Sequence, residues 1–141
     1  MPAPFADAQA RDAFLREPRL AILMMNRAAA APIGVPVWFE WTGSEVLMFA
    51  AAGSPKVKRI SKDPNVSVLV TNHINEAEAW VAFDGQVTVQ EDGVAELIGR
   101  LGARYWDLSD PAKQAQLDSW VQAPGATVLL QLSPVRIRSG A

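Results

Sequence analysis

The chain has 141 residues, half of them apolar and a fifth charged, with 13 Lys and Arg against 15 Asp and Glu for a net charge of −2. That length suits one domain with a buried core, and the near-balanced charge gives no general attraction to nucleic acid or to an anionic membrane surface. The absence of cysteine excludes disulfides, thiol nucleophiles and thiolate metal sites, and no run approaches the ~18 apolar residues of a membrane span.

In chain order, Asp7, Arg11 and Asp12 stand where a signal peptide would carry its apolar core, so a soluble cytoplasmic protein is the expectation. Residues 7–16 predict a short helix with Asp7 as N-cap and Pro18 behind it. The run Leu20–Met25 reads as a buried strand, although six apolar residues fit a helix equally well by periodicity. An Ala/Pro/Gly connection, Ala28–Gly34, leads to Val35–Trp41, rich in β-branched and aromatic residues. With the turn Thr42-Gly43-Ser44 and the return strand Glu45–Ala50 this predicts a hairpin. Pro36 has no N–H for a ladder and belongs at a strand start, an edge or a bulge. Beyond a basic turn at 53–62, Asp63-Pro64 precedes a strand at Val66–Thr71, and a polar connection leads to a long strand, Ala79–Val89, with Gly85 at a bulge. Residues 92–106 and 110–121 are helical in character, with Val94, Leu97, Ile98 and Leu101 on one face and Asp92 as a candidate cap. Thr127–Leu132 and Val135–Ile137 supply the last strand. Six strands, few helices and no βαβ rhythm predict a mostly β fold with peripheral helices, built as an antiparallel barrel.

The basic turn carries the most chemistry. Gly53-Ser54-Pro55-Lys56-Val57-Lys58-Arg59-Ile60-Ser61-Lys62 holds four of the thirteen basic residues and no acid, directly after the apolar run Val46–Ala52. A small-residue turn that ends a strand and opens a helix suits a phosphate: glycine admits close approach, Ser54 offers a hydroxyl, and the lysines supply charge. Read locally, the same residues also make an ordinary solvated basic turn. His73, the chain's one histidine, sits in a polar loop, and Asp84 and Asp107 have no carboxylate partner at catalytic spacing. With one histidine and no cysteine, no metal site is expected.

The ordered set Pro36-Val37-Trp38-Phe39, Gly43, Phe49, Gly53-Ser54-x-Lys56, Ile60, Asp63-Pro64-x-Val66-Ser67 and Ala79–Val89 with Gly85 resembles the flavin-binding split-barrel family that includes pyridoxamine 5′-phosphate oxidase. The resemblance spans roughly residues 20–90 and implies a six-stranded antiparallel split β-barrel with Greek-key connections, a single domain over residues 1–141. It further implies a homodimer that binds FMN at the subunit interface, with the deazaflavin F420 as the alternative cofactor in some relatives. Carried over by position, Pro36, Val37 and Trp38 would line the flavin ring, and Phe49 and Ala50 would lie near the ribityl chain and phosphate. Ser54 and Lys56 would hold that phosphate. Trp80 stands where the oxidase has a flavin-contacting glutamine; it can stack but cannot accept a hydrogen bond. Lys58 and Arg59 match no ligand of the oxidase and enter on charge and proximity alone.

Two departures follow the same alignment. Pro55 replaces an arginine beside the lysine, which removes one bidentate phosphate partner and leaves Lys58 as the candidate to compensate. The oxidase's C-terminal arginine–histidine substrate signature is absent, which argues against a pyridoxal-type substrate, and the shorter, two-helix C-terminal part resembles the small F420- or FMN-dependent reductase branch. The resulting expectation is an FMN-binding oxidoreductase that moves a hydride to or from a small molecule. The alternatives are an F420-dependent reductase, a non-catalytic flavin-binding protein, and a barrel that serves only as an interaction module.

Overall fold

The computed structural model describes residues 5–140. Its elements are α1 (Ala8–Arg16), β1 (Ala21–Met25), β2 (Ile33–Val37), β3 (Glu40–Trp41), β4 (Val46–Ala51), α2 (Pro55–Lys62), β5 (Asn65–Thr71), β6 (Trp80–Gln90), α3 (Val94–Tyr105), α4 (Pro111–Trp120) and β7 (Thr127–Gly140). The strands form one sheet in the order β2-β1-β5-β6-β7-β4-β3, every pairing antiparallel. This is the mostly β split barrel with peripheral helices that the sequence leads one to expect, with seven strands rather than six. The expected strand at 35–41 is two strands: β2 pairs with β1, and β3 pairs with β4. These are the two edges of the sheet, so one run of chain serves both and has to bend between them at Trp38-Phe39.

Inside the curl, β1, β4 and β5 bury every second residue, the two-residue period of a strand with one face on a core. That pattern decides between strand and helix at Leu20–Met25, where composition alone does not. Leu23, Phe39, Met48, Val68, Phe83 and Leu130 are fully buried on the inner face, and α2 adds Ile60 and Val57 to the same core. On the outside, Leu97 and Leu101 of α3 pack against Leu129, Leu47 and Phe49.

Local chemistry explains the element ends. Asp7 Oδ1 accepts from the Ala10 amide at 2.8 Å, Ser54 Oγ from Val57 at 3.4 Å and Asp110 Oδ1 from Ala112 at 3.0 Å, so each caps a helix. The cap expected of Asp92 is not formed. Gly93 precedes α3 with φ of 82° and no side-chain cap bond, because the backbone turns into this helix through a left-handed residue that favours glycine. Pro36 lies on the edge strand β2, where its missing N–H costs no ladder bond. Gly85 marks the register shift between β6 and β7: Asp84 pairs with Arg136 and Gly85 with Pro134, so the extra residue is Val135 on β7. A Cβ at Gly85 would stand 2.5 Å from the Ser133 carbonyl oxygen.

Arg19 ties the helices to the barrel. It is 3% exposed, it donates to both carboxylate oxygens of Glu76 and to the Phe14 carbonyl, and its guanidinium lies 3.9 Å from the centre of the Phe14 ring. Its own carbonyl accepts from the Tyr105 hydroxyl at 2.6 Å. Arg104 completes the knot by donating to the carbonyls of Leu15, Arg16 and Glu17, the otherwise orphaned acceptors at the end of α1. The Arg19 guanidinium and the His73 amide hold the Glu76 carboxyl down at about 2, from an ordinary 4.5. A carboxylate depressed in the folded state stabilises fully above its unfolded pKa and loses that effect as the pH falls through the folded one.

Two outcomes follow. Urea midpoints taken stepwise from pH 5 to pH 2 should fall more steeply for the wild type than for Glu76→Gln; equal slopes would remove the pair from the acid transition. Gly85→Ala should lower the unfolding free energy by about 1–3 kcal/mol through the backbone clash, read as a lower denaturant midpoint at unchanged m-value.

Candidate functional site

The bend at Trp38-Phe39 opens the barrel wall. Where β2 and the start of β1 part from β4, a cleft of about 410 Å³ is left, within the range of small-molecule sites. Pro36, Val37 and Trp38 line it from β2 and the bend, Phe49, Ala50 and Ala51 from β4, and Lys56 from α2, with the Trp38 and Phe49 rings packed edge-on at 6.2 Å. Leu20 and Trp120 complete the lining. Six of the nine residues expected at a site are thus brought together: Pro36, Val37, Trp38, Phe49, Ala50 and Lys56.

Alternation on the strand turns Phe39 into the core and Trp38 outward into an aromatic cluster. The Trp38 ring stacks on Tyr105 at 5.1 Å and 8°, and meets Trp106 edge-on at 4.9 Å and Trp120 at 6.0 Å. Phe49 lies 5.6 Å from Trp120. Such pairs contribute about 0.5–1.5 kcal/mol each beyond burial, and they fix the ring plane that one side of the cleft presents. Tyr105 is held by hydrogen bonds with Arg19 and Phe39, so the knot under α1 also sets the position of Trp38.

At the cleft's end, Lys56 is half-buried, and desolvation holds its ammonium group below the usual lysine range. It has no ion-pair partner among the described residues. Ser54 does not line the cleft; it is the N-cap of α2, two residues before Lys56. Ser54 Oγ accepts from Val57 and its carbonyl from Lys58, so the Lys56 N–H is left with no protein acceptor among the described residues. A free amide at a helix N-terminus beside a desolvated ammonium group is suited to an anion. Pro55 is the first residue of α2, where its fixed φ favours the helix start. The residue that removes a guanidinium therefore shapes the same anion-facing terminus.

The remaining residues lie elsewhere. Lys58 is exposed on α2 and outside the lining, so it does not replace the missing arginine in this cleft. Trp80 sits at the start of β6 against Gly140, beside Met24, Leu69 and Arg138 on the outer face of the sheet, and shares no lining residue with the cleft. Leu20, Ala51 and Trp120 are the lining residues that sequence reasoning missed, and Trp120 is the one that reaches the cleft from furthest along the chain. Its signal is faint: Tyr105, Trp106 and Trp120 flank two helices in a stretch otherwise rich in polar residues. No carboxylate, histidine or hydroxyl lines the cleft. It can hold a flat apolar ring with an anionic end, and Lys56 is the one titratable group among its lining residues.

The comparisons agree with this architecture. An F420 reductase structure superposes with a TM-score of 0.73 at 18% identity, covering 98% of each chain. General stress protein 26 from Bacillus anthracis str. Sterne gives 0.68 at 20% identity, over 94% of this chain and 92% of that one. A FAD-binding protein from Mesorhizobium loti gives 0.64 at 17%, over 99% and 97%. At these identities the likeness shows the fold alone. A search of curated proteins finds no match. The sequence model of the pyridoxamine 5′-phosphate oxidase family matches residues 8–139, and with nearly the whole chain inside that match the protein belongs to the pyridoxamine 5′-phosphate oxidase family.

Proposed function

We propose that this chain is a cytoplasmic flavin-dependent oxidoreductase that holds FMN in the cleft between β2 and β4. The observation that carries the reading is the cleft itself: an apolar hollow lined by Pro36, Val37, Ala50 and the packed Trp38–Phe49 pair, ended by a half-buried ammonium group and a free helix-terminal amide. Those groups fit a flat ring system with a phosphate at one end. Pro36–Trp38 would flank the ring, Phe49 and Ala50 the ribityl chain, and Lys56 with the Ser54-capped terminus the phosphate. The flavin supplies the hydride chemistry when bound, and the protein supplies position and electrostatics. A lining whose one titratable side chain, Lys56, is assigned to the phosphate suits that division of labour. The same cleft suits a protein that binds flavin without turnover, and reduction of quinones or dyes by NADH or NADPH separates the two.

The reading includes a homodimer. The outer face of β1, β5 and β6 carries half-buried Ile22, Met24, Leu69 and Trp80 around the Arg138–Asp84 ion pair at 2.7 Å. A partly apolar face on an otherwise charged surface favours a second protein surface. The resemblance assigns Trp80 to the cofactor, although it lies apart from the cleft within one copy, and a site shared between copies reconciles the two.

Lys56→Ala should weaken FMN by roughly 1.5–3 kcal/mol, the value of one charged hydrogen bond, in an absorption titration; an unchanged dissociation constant would remove Lys56 from the site. Leu69→Glu should convert a sedimenting dimer to a monomer and weaken FMN with it, because binding to the assembled form is linked to assembly. A wild-type chain that sediments as a monomer and binds FMN would contradict the shared site.

A further inference from the structure

A second hollow, at the opposite end of α2, plays no part in the flavin reading. About 440 Å³ in size, it is lined by Asn26, Arg27 and Ala28 from beyond the end of β1 and by Arg59, Lys62 and Asp63 from the end of α2. Three cations and one carboxylate line it, for a net charge of +2, and the carboxylate's hydrogen bonds go to asparagines rather than to the cations. Asp63 accepts from the Asn26 side chain at 3.1 Å and from the Asn65 amide and side chain at 3.1 and 2.8 Å. Among the described residues none of the three cations has an ion-pair partner.

Arg59 and Lys62 stand three residues apart, so the helix places two like charges side by side, which opposes helix formation when no counter-charge is near. The negative end of the helix dipole offsets part of that repulsion. It does not account for Arg27, which a different element brings to the same hollow. Arg27 is aimed by a hydrogen bond from its Nε to the Ala31 carbonyl at 2.7 Å, which leaves its two terminal nitrogens for a ligand. The loop that makes this bond holds Ala29 at φ of 53°, left-handed backbone that residues with a Cβ rarely adopt.

From this convergence we infer that the hollow is a second anion site, separate from Lys56, for a small ligand bearing two or more clustered negative charges, such as linked phosphates or a chain of carboxylates. Two guanidinium groups and an ammonium group exceed what one monoanion neutralises, and the guanidinium fork matches phosphate and carboxylate oxygens in pairs. The charge has two possible sources: a free polyanion, or the far end of a cofactor seated in the cleft. Lys56 and Lys62 are six residues apart on α2, about 9 Å along its axis at 1.5 Å per residue. A cofactor anchored at Lys56 reaches the hollow only if acidic groups extend beyond its first phosphate. FMN has none there, whereas F420 carries an acidic tail. The site stands on its own residues, whether or not the cleft holds a flavin.

The test uses the full chain, with inorganic pyrophosphate followed by amide shifts and with FMN and F420 followed by absorption. Pyrophosphate should shift the amides of 26–28 and 59–63 saturably. The double variant Arg59→Gln/Lys62→Gln should weaken it about tenfold or more, as expected for lost charged hydrogen bonds, while Lys56→Ala leaves it unchanged. If the cofactor's tail is the source, the double variant weakens F420 to a similar degree and spares FMN, which supports the site equally. Scattered or non-saturating pyrophosphate shifts, together with an F420 affinity that the double variant leaves unchanged, overturn the proposal. Should that variant fail to fold, Arg27→Gln lies off the helix and should weaken pyrophosphate; an unchanged affinity overturns the proposal in the same way. Loss of FMN binding alone counts against the cleft reading, and the pyrophosphate titration still decides the second site.

Discussion

One run of chain, Ile33 to Trp41, forms both edges of the sheet, and the rest of the molecule is arranged around that constraint. β2 adds to β1 and β3 adds to β4, with only Trp38 and Phe39 between them. An open antiparallel sheet exposes two edges with unpaired backbone groups; here the same segment supplies both, so the sheet has to curl until they meet. The curl closes imperfectly, and the gap between β2 and β4 is the cleft. The site is therefore a consequence of how the barrel closes, which explains why its walls are strand residues and its end is the helix that follows β4.

Two kinds of force hold that geometry. Inside, Phe39 is fully buried in the barrel core, which pins the bend from below. Outside, Tyr105 stacks on Trp38 and hydrogen-bonds at the bend and at Arg19, which pins it from above. Arg19 and Arg104 then join α1, α3 and the 72–79 loop into one network. A buried guanidinium is tolerable only when fully paired, and Arg19 meets that condition with a carboxylate, a carbonyl and an aromatic face. Rigidity at Trp38 would favour a ligand that packs on a fixed plane, because order already built into the free protein is not lost again on binding.

Much of the fold was legible because it rests on local rules. Asp7 and Ser54 announce helix starts, Pro36 a strand start, edge or bulge, and Gly85 a strand irregularity; each acts within a few residues of itself. The cleft-lining residues from Pro36 to Lys56 were legible through family likeness and ordered spacing, and they converge because β2 and α2 flank the same gap. What stayed hidden depends on contacts across the chain. The break at Trp38-Phe39 follows from sheet closure, not from any breaker residue. Trp120 reaches the cleft from a helix over 60 residues beyond it in sequence. Arg27 joins Arg59 only because β1 ends beside the end of α2. Lys58 illustrates the converse: sequence proximity to Lys56 suggested a shared role, but helical geometry turns it to solvent.

The account's central claim is that the gap left by barrel closure is a ring-and-phosphate site. A crystal structure of the chain grown with FMN tests it most directly. The isoalloxazine ring should lie along Pro36–Trp38, with Phe49 and Ala50 beside the ribityl chain and the phosphate on Lys56 and the first turn of α2. A flavin bound elsewhere, or one whose phosphate points away from Lys56, would contradict it.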